Sequence, residues 1–164
     1  MSEGETQKAW SPDDHQVAPQ RWFEDFAVGE RYDLPSRTLT DAIFAGFQVV
    51  SGDNHPSHYD TEYCRAHGHD DLLAHGFLVA SFAAVGAGRF AHEISSSLIA
   101  FLDQSSRFLK PALRGDTLYP SLTITDLKAQ RTTGVIEMRA SIHNQKRECV
   151  MDGTHRYLVR KRPG

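Results

Sequence analysis

Only two of the 164 residues are cysteine, Cys64 and Cys149, and they stand far apart in no CxxC pattern. A disulfide framework is therefore not expected, and a reducing, cytoplasmic setting is the default. No stretch approaches the ~20 apolar residues needed to cross a bilayer. The first twenty residues hold no apolar run and carry acids, so a secretory leader is not expected either. Basic charge is not in excess: 18 Lys and Arg stand against 21 Asp and Glu, for a net charge of -3. That removes the electrostatic motive for binding nucleic acid. There is no GxSxG elbow, which argues against a nucleophilic serine. Nine histidines invite a metal, but neither HxxxH nor CxxC accompanies them, and no metal site is expected.

What is present suits one ordinary domain. Residues 1–20 are polar, contain proline and lack periodicity, so they read as a flexible arm. Residues 21–164 read as a single domain. Residues 31–40 look like a first strand, and Thr40 or Asp41 can cap a helix through IFAGFQVV that stops at Ser51-Gly52. A turn-rich stretch and a short helix over residues 61–67 follow. The segment 76–91, GFLVASFAAVGAGRFA, is apolar on nearly every side and predicts a long helix buried within the fold.

Beyond it the period changes to two. Leu118, Pro120, Leu122 and Ile124 alternate with polar residues, as do Ile136, Met138, Ala140 and Ile142. Such alternation predicts half-buried antiparallel strands. Residues 98–110 and 149–160 are expected to flank them. Gly115-Asp116, Thr133-Gly134 and Gln145-Lys146 offer turn chemistry, and Pro120 predicts an edge or a bulge. A strand meander after one buried helix is best satisfied when the sheet curls around the helix. That is an α+β hotdog fold, a curled antiparallel sheet wrapped around a long central helix. Its open sheet edge calls for a second subunit, so a homodimer or higher homo-oligomer is expected.

The chemistry-bearing segment is Gly52-Asp53-Asn54-His55-Pro56-Ser57-His58, with Ala74-His75-Gly76 further on. Pro56 lacks an N–H and steers His55 toward an extended conformation. A loop of this kind can turn a carboxylate and an imidazole toward one point, where they can hold a water and move its proton. The alternative is an ordinary turn, in which Asp53 caps and His58 is a surface residue.

Gly52-Asp53-x-x-Pro56-x-His58 with Ala74-His75-Gly76 resembles the MaoC-like dehydratases, which include the R-specific enoyl-CoA hydratases. Phe26-x-Val28-Gly29-Glu30 with Arg37-Thr38-Leu39-Thr40 is similar to the family's opening. Arg107-Phe108-x-x-Pro111-x-x-x-Gly115-Asp116-Thr117 is similar to the stretch after its central helix. The resemblance covers roughly residues 22–160. It implies that Asp53 and His58 are the catalytic pair for hydration of an enoyl-CoA, or the reverse dehydration. It further implies that the Gly76 N–H meets the thioester carbonyl. Ser81 matches a helix serine near the catalytic aspartate of some relatives, though it could simply bond back to the Phe77 carbonyl.

The family's usual Asn before the proline is replaced by His55, which can serve as donor or acceptor in its place. His75 is expected to orient the Gly76 turn. No cofactor is implied beyond the coenzyme A of the substrate, for whose phosphates Arg89, Arg107, Lys110 and Arg114 are candidates. Two rival readings are a hotdog thioesterase and a non-catalytic acyl-CoA-binding subunit.

Overall fold

Period-two alternation in the C-terminal half becomes a meander of long antiparallel strands. In the structure, a computed structural model that describes residues 10–164, the strands are β1 (Arg31–Asp33), β2 (Arg37–Thr38), β3 (Leu98–Phe108), β4 (Thr117–Ala129), β5 (Thr133–Asn144) and β6 (Cys149–Arg160). Their order is β1-β4-β5-β6-β3, with β2 also paired to β4. Ile136, Met138, Ala140 and Ile142 of β5 are all buried and share one face, with Leu118, Leu122 and Ile124 of β4 beside them. Each such side chain contributes roughly 1.5–3 kcal/mol on leaving water. The curled sheet and its helical filling make a hotdog fold.

The first strand expected over residues 31–40 is split by Leu34, Pro35 and Ser36 into β1 and β2. This break resolves the problem of Pro120. Its carbonyl accepts from Leu34 N at 3.0 Å, so its nitrogen faces the gap between β1 and β2, where no N–H is required. The ladder bulge lies further on, between Ile124 and Asp126. Thr133-Gly134 is strand and not turn, with Gly134 opposite Val159. A Cβ on Gly134 would lie 2.3 Å from the Phe23 ring, so glycine there makes room for an aromatic lid.

Among the described residues four α-helices accompany the sheet: α1 (Asp41–Ser51), α2 (Thr61–Ala66), α3 (Gly76–Ser81) and α4 (Arg89–Glu93). The Thr40 hydroxyl accepts from Ile43 N, and Gly52 ends α1 in the left-handed region at φ 69°. The long central helix expected over residues 76–91 is instead two short helices joined by residues 82–88. The chain is extended at Gly88 (φ -122°, ψ 178°), where a Cβ would lie 2.3 Å from a Leu34 methyl group. Nor is the segment wholly covered. Leu78, Val79, Phe82 and Ala83 are buried, whereas Phe77, Ser81 and Ala84 recur on an exposed face.

The arm expected over residues 1–20 falls partly outside what the structure describes. Residues 1–9 lie outside the described residues, while Ala18 is buried and the Gln20 amide donates to the His92 carbonyl at 2.9 Å. Arg21 then ties this segment to the sheet and α4. Its guanidinium meets Glu30 at 2.7 Å, the Tyr32 hydroxyl at 2.9 Å and the buried Glu93 at 3.1 Å. Leaving that carboxylate buried and unpaired would be costly.

Among the sheet's glycines the tightest surroundings are at Gly153 of β6, where a Cβ would sit 1.9 Å from the Ser105 carbonyl oxygen. Gly153→Ala should therefore lower stability by about 3 kcal/mol by forcing β3 off β6. Urea denaturation followed by circular dichroism measures the loss, and an unchanged midpoint would refute the packing argument.

Candidate active site

The site is built where the end of α1, a single 3-10 turn and the start of α3 meet. Gly52 reverses the chain after α1, and Asp53 follows directly. Its Oδ1 accepts from His55 N at 3.2 Å, closing a small turn and leaving Oδ2 to face across the loop. The 3-10 turn Pro56–His58 then brings the imidazole around. His55 caps that turn: its Nδ1 accepts from Ser57 N at 3.3 Å and lies 2.8 Å from the Ser57 hydroxyl. An imidazole nitrogen thus makes the bond an asparagine oxygen makes at an N-cap.

Asp53 and His58 converge. His58 Nε2 lies 3.9 Å from Asp53 Oδ2, with the imidazole mostly enclosed and the carboxylate about half exposed. That gap is too long for a direct hydrogen bond, but one water oxygen could reach both atoms. The tautomer follows from the other side of the ring. Nδ1 is 2.7 Å from the Leu73 carbonyl oxygen, which only accepts, so Nδ1 carries the proton. In the neutral ring Nε2 is then a lone pair directed toward the carboxylate. The pair can accept both hydrogens of one water.

His75 lies beneath. Its ring stacks on His58 at 3.7 Å between centroids, and only 2% of the residue is exposed. The Tyr59 hydroxyl is 2.9 Å from its Nε2 and the Asp53 carbonyl oxygen 3.4 Å away. Burial, with the neighbouring His58 as a lesser cause, pushes the His75 pKa below its ordinary value. Buried and stacked on His58, the ring serves as a platform for it. Gly76 opens α3, and no hydrogen bond to its N–H occurs among the described residues. A Cβ on Gly76 would press on the Phe108 ring at 3.0 Å.

Ser81 stands apart from this group. Its hydroxyl donates to the Leu78 carbonyl at 2.6 Å, a back-bond of the expected kind but to a different residue than Phe77. It makes no hydrogen bond to Asp53 among the described residues. Three of the four cations suggested for coenzyme A phosphates are already paired: Arg89 with Glu93, Lys110 with Glu148, and Arg114 with Asp41 and Asp71. Arg107 makes no ion pair among the described residues. Two participants were not anticipated from the sequence, the Tyr59 hydroxyl and the Leu73 carbonyl. Tyr59 directly follows His58, a readable signal, whereas every residue has a carbonyl.

Asp53, His58 and His75 offer ligand atoms within 4.8 Å of one another, close enough to raise the question of a metal ion. The two rings, however, are stacked at 3.7 Å with planes 25° apart, so their in-plane lone pairs lie in separate, nearly parallel planes. His58 Nδ1 and His75 Nε2 are also engaged in hydrogen bonds. Convergent binding of a tetrahedral cation needs lone pairs that meet at a point.

Comparison with known proteins places this geometry in a family. The MaoC like domain matches residues 25–146. The chain belongs to the MaoC-like family. Among curated relatives, the (R)-specific enoyl-CoA hydratase of Rhodospirillum rubrum is 26% identical over 110 residues, 67% of this chain and 74% of that one. A UPF0336 protein of Streptomyces griseus is 27% identical over 118 residues, 70% of this chain and 79% of that one. Among solved structures, a monoamine oxidase regulatory protein from Archaeoglobus has a TM-score of 0.83 at 28% identity, covering 91% of this chain and 100% of that one. A Mycobacterium tuberculosis protein described as having a double hotdog fold gives 0.75 at 25% identity, covering 88% of this chain and 45% of that one.

Burial also lowers the pKa of His155, on β6. For His75 and His155 alike, the folded value lies below an unfolded value near ~6.5. Between the two values the unfolded chain binds more protons, so stability should fall as the pH drops below ~6.5. Urea midpoints at pH ~7.5 and ~5.5 measure this, and His75→Phe should reduce the difference. An unaltered pH slope in that variant would show that His75 is not held neutral.

Proposed function

We propose that the protein hydrates a 2-enoyl-CoA to an R-3-hydroxyacyl-CoA, or catalyses the reverse dehydration, with Asp53 and His58 as the catalytic pair. The observation that carries this reading is the 3.9 Å separation of two acceptor atoms, Asp53 Oδ2 and His58 Nε2. A water held between them donates to both, which raises electron density on its oxygen. That oxygen attacks C3 while the pair takes one proton and returns it to C2. Atoms balance, and the enzyme ends as it began. The Gly76 N–H supplies a donor for the thioester oxygen, where negative charge grows in the transition state. The hydratase relative from Rhodospirillum rubrum supports the same chemistry.

A second copy of the chain is part of the proposal. β3 lies at the edge of the sheet and exposes Leu98, Ile99, Phe101, Leu102 and Phe108. An open edge this long and apolar invites pairing with its equal.

Asp53→Asn and His58→Gln should each lower turnover by about 10²–10⁴-fold while the circular dichroism spectrum stays unchanged. Loss of enoyl thioester absorbance reports hydration, and free thiol release reports thioester hydrolysis. Thiol release from the wild type without enoyl loss would assign the site to a thioesterase. Tight binding with neither signal would make the chain a carrier subunit.

A further inference from the structure

The two faces of the β3 edge differ in chemistry. Gln104 and Phe108 lie opposite His155 and Met151 of β6, both buried, so they point to the core side. Phe101 joins them there, stacked on buried Tyr157 with 4.9 Å between ring centroids. Asp103, Ser105 and Arg107 lie opposite Arg156, Thr154 and Asp152 and point to the outer side. Successive residues of a strand divide between its faces in this way.

The outer side carries a row of alternating charge that stops at the edge. Arg156 of β6 meets Glu137 of β5 at 2.7 Å and Asp103 of β3 at 3.2 Å. Further along β3, Arg107 sits opposite Asp152, which is held by Arg139 at 2.6 Å. Arg107 is exposed and makes no ion pair among the described residues. The edge therefore presents a carboxylate at Asp103 and an unpaired cation at Arg107.

A two-fold axis that continues the sheet across this edge sets the two β3 strands antiparallel, with both core faces on one side. An outer residue then meets only outer residues. Centring the pair on Asp103 or on Arg107 would set like charges against each other. Centring it on Gln104 or Ser106 would leave both charges without a counterpart. Ser105 on the axis brings Asp103 of each copy to Arg107 of the other. The strand suits this register, because Asp103 to Phe108 pair with β6 without a slip, whereas the ladder shifts between Phe101 and Asp103.

We infer that two copies of the chain join along β3 in this register, with Ser105 on the two-fold axis and Asp103 facing Arg107 of the partner subunit. Charge then alternates unbroken from Glu137 through Arg156 and Asp103 to Arg107 of the partner subunit. Exposed ion pairs add little affinity one by one, but they penalise a wrong register. The core side supplies the apolar burial, with Phe77, Phe101 and Phe108 all exposed along it. The inference rests on the second-copy reading above and fixes its geometry, and it is independent of the reaction catalysed.

Cysteine cross-linking tests the register. Opposed residues of antiparallel strands lie ~4.5–5.5 Å apart between Cα atoms, within disulfide range. With oxidised glutathione as oxidant, Ser105→Cys should run mainly as a linked dimer on a non-reducing gel. Asp103→Cys and Arg107→Cys should each run as single chains, since like positions are then about 13 Å apart along the strand. Their equimolar mixture should cross-link, and it serves if Ser105→Cys fails to fold. The wild type, with free Cys64 and Cys149, gives the background. Arg107→Glu sets carboxylate against carboxylate twice and should raise the dimer Kd at least about tenfold in sedimentation equilibrium. An unchanged Kd would count against the inferred ion pair. A wild type that sediments as a monomer would refute the second-copy reading and the inference with it. A dimeric wild type in which neither Ser105→Cys nor the mixture cross-links, or Asp103→Cys does so alone, would refute the register and leave the dimer standing.

Discussion

The hydrogen bond from His58 Nδ1 to the Leu73 carbonyl governs what the rest of the site can do. At 2.7 Å it fixes which ring nitrogen is protonated and points the other at Asp53. It also joins the loop that carries Asp53 and His58 to the scaffold. Leu73 bridges to Leu113, and its N–H donates to the Ser57 carbonyl at 2.9 Å, so the loop and residue 73 grip one another from both sides. A side chain hung from a turn alone would sample several rotamers. Here the imidazole is held by backbone that belongs to the sheet's surroundings, and the gap to the carboxylate is set by the fold.

The second constraint is the stacked His75. A charged ring at 3.7 Å from His58 would repel an imidazolium there, and burial disfavours that charge. His75 thus offers a flat neutral surface on which His58 rests. The same residue begins α3, since its carbonyl accepts from Val79 N at 3.0 Å. The peptide after it is Gly76, so ring support for the proposed catalytic histidine and placement of the free N–H come from adjacent residues. One short segment positions both halves of the proposed reaction.

Much of this architecture is legible in the sequence because local chemistry and tertiary demand agree. Thr40 and Gly52 punctuate α1 by capping physics that needs no neighbours, and the alternation in β4 and β5 records a buried face directly. Gly52, Asp53, Pro56 and His58 could be read as a converging pair or as a plain turn, and family resemblance favoured the first. What stayed hidden depends on partners distant in the chain. Nothing near Gly134 announces that Phe23 covers it. Nothing near Pro120 says that its neighbouring strand breaks at Pro35. The Leu73 carbonyl carries no residue-type signal at all, although it decides the tautomer of His58.

The misreading of residues 76–91 has a different cause, and it bears on function. An apolar residue on every side of a helix normally means burial on every side. Here Phe77, Ala80 and Ala84 lie on a face that protein atoms leave open, opposite Phe101 of the edge strand. On the proposed reading that face is covered after all, by the second copy of the chain that pairs at the β3 edge. A surface buried only on assembly must look like core in sequence, because the partner supplies the missing side of the packing. On that reading the helix is packed for a core that is complete only when two copies meet.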